Sequence, residues 1–370
     1  LRQGAFEALT GTQDPRALEA LATVVTNIED DKILRRHIID SWTGTKNALA
    51  LEALAIVVNN TADDRHIRWL AVEALTGTQD PRALEALATV VKNIEDDEYV
   101  RTNALNALNG NQGENALQAF VAVLSNTADD DDLRYLACKA LTGTQDPRAL
   151  EALATVVTNI EDDKHLRRHI IDSWTGTLHP RMLQALAALM NNSNLRDIAL
   201  RFAAIDALTR TQDAQALKAV ASVVKNTEVE YHMREHATRA LMGTQGAHAL
   251  ALGAAAAVLV NSADDAVFRF RMAAALEKLM RGNEDAHALV EALATVMTNI
   301  EDHENLRRHI IDSWTGTKNP HALEALATVV KNVGNSFDLR QGAFEALTGT
   351  QDPRALEALA TVVTNIEDDK

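Results

Sequence analysis

The sequence predicts an all-α fold, a right-handed α-α superhelix (solenoid) of about eleven 33-residue helical hairpins, and three observations carry that prediction. An asparagine recurs as Asn27, Asn60, Asn93, Asn126, Asn159, Asn192, Asn226, Asn261, Asn299, Asn332 and Asn365, spaced by 33 residues five times and then by 34, 35, 38, 33 and 33. All six prolines (Pro15, Pro81, Pro147, Pro180, Pro320, Pro353) fall at one repeat position, where the first helix of each hairpin would begin. Aromatic residues make up 4% of the chain and no segment alternates in polarity, so there is no strand signal.

The unit from Leu9 to Trp42 shows why each element forms. Asp14 is placed to cap the first helix, and Pro15 at its first position gives up no bond the helix needs. Leu18, Leu21, Ala22 and Val25 then follow at i, i+3, i+4 and i+7, one apolar stripe over three to four turns. Asn27 is expected to end that helix in the left-handed conformation. An aspartate of Glu29-Asp30-Asp31 caps the second helix, whose inner face reads Leu34, Ile38, Ser41 and Trp42. Glycine closes the second helix, at Gly11, Gly44, Gly77, Gly110, Gly143, Gly176, Gly243, Gly316 and Gly349, with Arg210 a departure and Gly282 displaced by one. Neither helix buries its stripe alone, so copies must stack.

Composition narrows the function classes. With 52 acidic against 36 basic residues the net charge is −16, which opposes a phosphate-binding groove, so no nucleic-acid partner is expected. No apolar run reaches the roughly 20 residues of a membrane helix. The single cysteine, Cys138, excludes an internal disulfide and reads as a small core residue. No compartment is indicated.

The second helices share an apolar residue followed by arginine, from Leu34-Arg35, Ile67-Arg68 and Val100-Arg101 through Leu306-Arg307 and Leu339-Arg340; the ninth copy is ambiguous between Arg269 and Arg271. Together with the Asp-Pro turn and the acidic loop, this resembles the HEAT-repeat family over all eleven units. The resemblance implies a solenoid in which a loop aspartate and the second-helix arginine form a polar ladder between stacked units. It does not imply an activity, because such solenoids serve as scaffolds, transport receptors and a few enzymes.

A longer period is also present. Residues 141–177 repeat 9–45 with one change, Ile33 becoming His165, and residues 339–370 are identical to 1–32. The stretch 245–290 is irregular, alanine-rich and over length, and a kink or widened loop is expected there.

Candidate binding residues lie on the second helices, which in such stacks line the concave side. Positions three, four and seven of those helices supply Arg36, His37, Asp40, Trp69, Glu73, Tyr135, Arg168, His169, Asp172, Phe202, Arg308, His309 and Asp312. Position seven is acidic in seven copies (Glu7, Asp40, Glu73, Asp172, Asp206, Asp312, Glu345), which suits a basic or peptide-like partner. The same residues also read as a solvated face with short ion pairs such as Arg36 to Asp40, worth a few tenths of a kcal/mol. The His37/Asp40, His169/Asp172 and His309/Asp312 pairs offer two ligands each. Copies four repeats apart stand roughly 40 Å from one another at about 10 Å per stacked pair, so no metal site and no cofactor is expected. The acidic loops lack the glycine and terminal glutamate of a calcium loop and already serve as caps. Trp42, Trp174 and Trp314 read as core.

The chain starts on a second helix and stops on a first helix, with interior-type apolar faces at both ends: Leu1, Phe6 and Leu9, and Leu356, Leu359 and Val363. The leading expectation is therefore a non-enzymatic structural or scaffold protein, either stacking head to tail into a filament or ring or forming an excerpt of a longer array. The alternative is a protein- or peptide-binding module that uses the acidic concave face. An enzyme would need polar residues clustered in one or two repeats, and the near-uniform copies oppose that.

Overall fold

The structure, a computed structural model, describes residues 2–10, 12, 14–175, 179–192, 197–280 and 287–364. Gly11, Gly176, Gly282, Asn365, Leu1 and the side chain of Val363 lie outside the described residues. The chain divides into two compact units, Leu1–Trp174 and Thr175–Lys370, and all the regular structure among the described residues is helical.

The first unit runs α1 (Arg2–Leu9), α2 (Pro15–Thr26), α3 (Lys32–Ser41), α4 (Ala48–Asn59), α5 (Arg65–Leu75), α6 (Pro81–Lys92), α7 (Glu98–Leu108), α8 (Glu114–Ser125), α9 (Asp131–Leu141), α10 (Pro147–Thr158) and α11 (Lys164–Ser173). The second runs α12 (Pro180–Met190), α13 (Ile198–Arg210), α14 (Ala214–Lys225), α15 (Tyr231–Met242), α16 (His248–Val260), α17 (Ala266–Met280), α18 (His287–Thr298), α19 (Glu304–Ser313), α20 (Pro320–Lys331), α21 (Phe337–Leu347) and α22 (Pro353–Thr364). Within each unit the even-numbered first helices stack on one another and the odd-numbered second helices do the same, giving two layers of helices. The extra residues of the irregular stretch lengthen α16 to 13 residues and α17 to 15.

First helices bury a wider band than one stripe. In α10, Ala149, Leu150, Ala152, Leu153, Ala154, Val156 and Val157 are all buried, because this helix packs against its own second helix and against α8. Each Leu or Val so placed contributes about 1.5–3 kcal/mol, and the alanines let neighbouring backbones approach. In α3 the buried face is Arg35, Ile38, Ile39 and Trp42. Ser41 stands outside it, its hydroxyl donating to the Ile38 carbonyl at 2.7 Å, which corrects the expected inner face. Trp42, Trp174 and Trp314 are core, as is Cys138, whose thiol burial pushes up to about 12.

Asp14 caps α2 by accepting from the Arg16 N–H at 2.8 Å, and Asp31, Asp64, Asp97, Asp130 and Asp163 cap second helices in the same way. The asparagines act differently from expectation. Asn27 is extended (φ −85°, ψ 109°), as are Asn60, Asn93, Asn126 and Asn159. Each instead organises a turn. The Asn60 side chain accepts from the Ala62 N–H at 3.2 Å and its carbonyl accepts from the Asp63 N–H at 3.0 Å, a short polar side chain standing in for a backbone turn. In α12 the helix already ends at Asn191, so Asn192 follows the cap. The left-handed residue comes after the second helix, at Gly44 (φ 71°), Gly77 (φ 82°), Gly110, Gly316 and Gly349, whereas Gly243 closes α15 at φ −78° and Gly143 is not left-handed either. Where Arg210 replaces that glycine, α13 extends through it and Gln212 takes the positive angle (φ 56°).

The turn that the asparagine holds delivers the next residue of the motif into the interior. Arg68 donates to Asp96 through Nη1 and Nη2 at 2.5 and 2.6 Å, and through Nε and Nη2 to the Val58 carbonyl at 3.0 and 2.8 Å. Both side chains are 2% exposed. The arginine therefore satisfies an orphan carbonyl at the end of its own first helix and pairs with the loop of the next repeat. The same pattern joins Arg35 to Asp63, Arg101 to Asp129, Arg134 to Asp162, Arg234 to Asp264 and Arg269 to Asp302, the polar ladder that the resemblance implies. Arg269, not Arg271, is thus the ninth ladder residue. Two rungs differ. Val229 fills one aspartate position, and Glu230 pairs with Arg201 at 2.8 Å instead. At the other, Asn335 accepts from Arg307 and carries no charge.

Candidate functional site: the outward face of the second helices

The candidate residues are held on the second helices by the ladder beneath them, since the arginine at position two fixes the rotation of each helix. Position seven faces solvent: Glu7, Asp40, Glu73, Asp172 and Asp312 are exposed and Asp206 is half-buried. Arg36 lies 3.6 Å from Asp40 and Arg168 3.0 Å from Asp172 within one helix, whereas Arg308 reaches across to Asp338 at 3.0 Å. Position four varies: His37 is exposed as expected, His169 and His309 are half-buried, and Leu70 and Ala203 are buried.

Position three of one second helix packs against position four of the next. Tyr135 of α9 stands over His169 of α11 with ring centroids 4.8 Å apart, Phe202 of α13 over His236 of α15 at 4.2 Å, and Phe270 of α17 over His309 of α19 at 4.5 Å. His236 Nε2 also meets Asp206 Oδ1 at 2.8 Å. Elsewhere Trp69 packs against His66 at 5.2 Å and Tyr99 at 6.2 Å, and His37 against Phe6 at 6.2 Å. His37, His169, His236 and His309 are thus partners of aromatic rings on a neighbouring helix. No group of three or more metal-ligating side chains occurs among the described residues. Sequence reasoning named Tyr135, His169, Phe202 and His309 but missed His236 and Phe270. Placing the ladder arginine at Arg269 would have put Phe270 at position three.

In the first unit a cleft of about 520 Å³ opens between the loops after α7 and α9, with Asn109, Asn111, Gln112 and Gln145 around Phe120. Of the residues expected to stack end to end, Phe6, Leu9 and Leu359 are half-buried. Leu356 is 52% exposed, although its copies Leu18 and Leu150 are 5% and 1% exposed.

Residues 51–132 match the family model for HEAT repeats. No curated protein matches the chain. Among solved structures, importin β is 14% identical with a TM-score of 0.46, covering 98% of this chain and 59% of its own. Kap121p bound to Nup53p is 14% identical with a TM-score of 0.40, covering 96% and 46%. Human deoxyhypusine hydroxylase in complex with glycerol is 15% identical with a TM-score of 0.30, covering 95% and 97%. This chain therefore spans less than two thirds of the first two. No described helix is long and apolar enough to cross a membrane.

Proposed function

Taking the chain as one built of HEAT repeats, we propose that it is a non-enzymatic scaffold whose second helices dock a basic protein or peptide. One observation carries this reading: the position-seven carboxylates Asp40 and Glu73 are exposed on two successive copies of one helix face, and Asp172 is exposed at the same position three copies on, past Asn106 and Lys139, in a chain of net charge −16. A row of like charge attracts a complementary segment and sets its register more than it sets its affinity. The rings of Trp69 and Tyr135 on second helices of the first unit offer surface to the aliphatic stems of lysine and arginine.

Fluorescence anisotropy of a labelled lysine- and arginine-rich peptide tests it. The expected result is salt-sensitive binding that weakens by about tenfold or more in the triple variant Asp40→Lys, Glu73→Lys, Asp172→Lys. Equal binding of an acidic peptide of the same length would sink the reading. End-to-end stacking through Phe6, Leu9, Leu356 and Leu359, residues that repeat the apolar pattern of interior units, is the second reading. Light scattering over a concentration series separates the two, since stacking requires mass to grow with concentration.

A further inference from the structure

The second unit holds a pocket whose chemistry is the reverse of the acidic face. At the junctions on either side, α13 to α15 and α17 to α19, an aromatic ring at position three covers a histidine at position four. Between α15 and α17 those two positions are Glu235 and Arg271, 3.5 Å apart, with the Arg271 guanidinium 5.7 Å from the centre of the Tyr231 ring. Position six, filled by Ile39, Val72, Leu105, Ile171 and Ile205 in other copies, is the smaller Thr238. Its hydroxyl donates to the Arg234 carbonyl at 2.8 Å, so its polar group is satisfied within its own helix. What remains is a hollow of about 200 Å³ lined by Thr238, Met242, Phe268 and Met272. Phe268 is 1% and Met272 3% exposed, and the Arg234 guanidinium sits 4.2 Å over the Phe268 ring from the ladder side, fixing the floor.

The rim is charged. Arg239 occupies position seven, where seven copies carry a carboxylate and one, Lys139, another cation, and lies 3.1 Å from Glu235; Arg239 and Arg271 are both exposed. Two guanidinium groups share one carboxylate, which leaves a positive charge at the mouth of an apolar hollow. A volume of about 150 Å³ admits a benzene ring, so this one accepts a single large apolar side chain. Methionines at its wall adapt to the shape of the occupant.

We propose that this pocket docks an acidic segment of a partner protein, one aromatic or aliphatic side chain entering between Met242, Phe268 and Met272 while a neighbouring carboxylate pairs with Arg239 and Arg271. The site is independent of the acidic-face reading and prefers the opposite charge. The incoming carboxylate displaces Glu235 from Arg271, and fork geometry lets a guanidinium bind it through two N–H groups.

The test is methyl NMR of the full chain labelled at the methionine methyl carbons, with Met242→Leu and Met272→Leu assigning the two reporters. The probes are the peptides acetyl-Glu-Phe-Glu-amide, acetyl-Lys-Phe-Lys-amide and acetyl-Glu-Gly-Glu-amide. The first is expected to shift both reporters saturably in the millimolar range, and the other two to bind about tenfold more weakly or not at all. Arg239→Glu with Arg271→Glu should abolish the shifts. Glu235→Gln, which removes the internal competitor and touches no buried group, should tighten binding severalfold. Silence of both reporters with the first peptide, or equal shifts with the lysine peptide, would overturn the proposal. Neither outcome bears on the basic-peptide assay above.

Discussion

Truncating Asp96 to alanine isolates one rung of the ladder. The substitution removes both acceptors of Arg68, at 2.5 and 2.6 Å, and leaves a 2% exposed guanidinium with the Val58 carbonyl as its remaining partner. It also strips the Asp97 N–H of the bond it makes to Asp96 at 2.7 Å. Breaking a buried pair in this way costs about 3–5 kcal/mol, and the surviving carbonyl contacts argue for the lower end, about 3 kcal/mol. Asp96→Asn keeps one oxygen facing the arginine, the arrangement Asn335 already makes with Arg307, and should cost about 1–2 kcal/mol. Replacing both partners by apolar side chains, Arg68→Met with Asp96→Leu, should fall close to wild type, because the desolvation of two charges is removed together with their attraction. Urea unfolding followed by circular dichroism gives the free energies, and hydrogen exchange shows whether the loss is centred on α5, α6 and α7, as nearest-neighbour coupling in a repeat stack requires. An alanine variant within about 1 kcal/mol of wild type, or an asparagine variant as damaging as alanine, would refute the account.

The other predictions are briefer. Asn335→Asp gives Arg307, whose guanidinium burial pushes below its ordinary value, a charged partner at the loss of the Asn335 bond to the Val329 carbonyl at 3.0 Å; the expected gain is about 1 kcal/mol in urea unfolding, and a loss would show that the polar arrangement is already optimal. Gln212→Gly relieves a side chain held at positive φ and should raise stability by about 0.5–1 kcal/mol, read as a higher melting temperature. Cys138, buried and with its thiol pushed up to about 12, should resist alkylation at pH 8 in the folded chain and react once urea unfolds it. The carboxyls of Asp64, hydrogen-bonded by Lys32, of Asp80 by Arg82, and of Glu114 and Asp146 by Arg148, are held below their ordinary values. Groups depressed in the folded state stabilise above the unfolded pKa and lose that contribution as pH falls through the folded one. The melting temperature should therefore be level above about pH 5 and decline below about pH 4, modestly because these pairs are exposed.

Local chemistry was legible wherever a residue acts on its own neighbours. Asp14 and Pro15 announce a helix start, the apolar spacing announces the stripe, and Trp42 in a leucine position announces the core. Asn27 was misjudged because asparagine has two uses at a helix end, a left-handed closure or an extended turn held by its side chain, and composition does not separate them. The stacks of Tyr135 on His169 and Phe202 on His236 were hidden for another reason: they join residues about 34 positions apart, so they depend on how adjacent helices rotate against one another. The pocket at Met242 and Phe268 is harder still, since it arises from what Thr238 and Glu235 lack relative to other copies.

The ladder has a consequence for how such a chain lengthens. Arg35, Arg68, Arg101 and Arg134 each find their carboxylate 28 residues further on, in whichever unit comes next. Because each of these units offers its arginine to the unit ahead and its aspartate to the unit behind, one of them copied or deleted whole leaves no guanidinium stranded, and the joint it creates is the joint it interrupted. Gene duplication in multiples of 33 codons is thereby silent to the interior, which is the condition under which residues 141–177 repeat 9–45 with a single change on an exposed position. A slip of another length keeps the ladder only where the chain still brings an aspartate to the arginine, as it does for Arg234 and Asp264, 30 residues apart, and for Arg269 and Asp302, 33 apart, so the buried pair is what the protein's growth preserves.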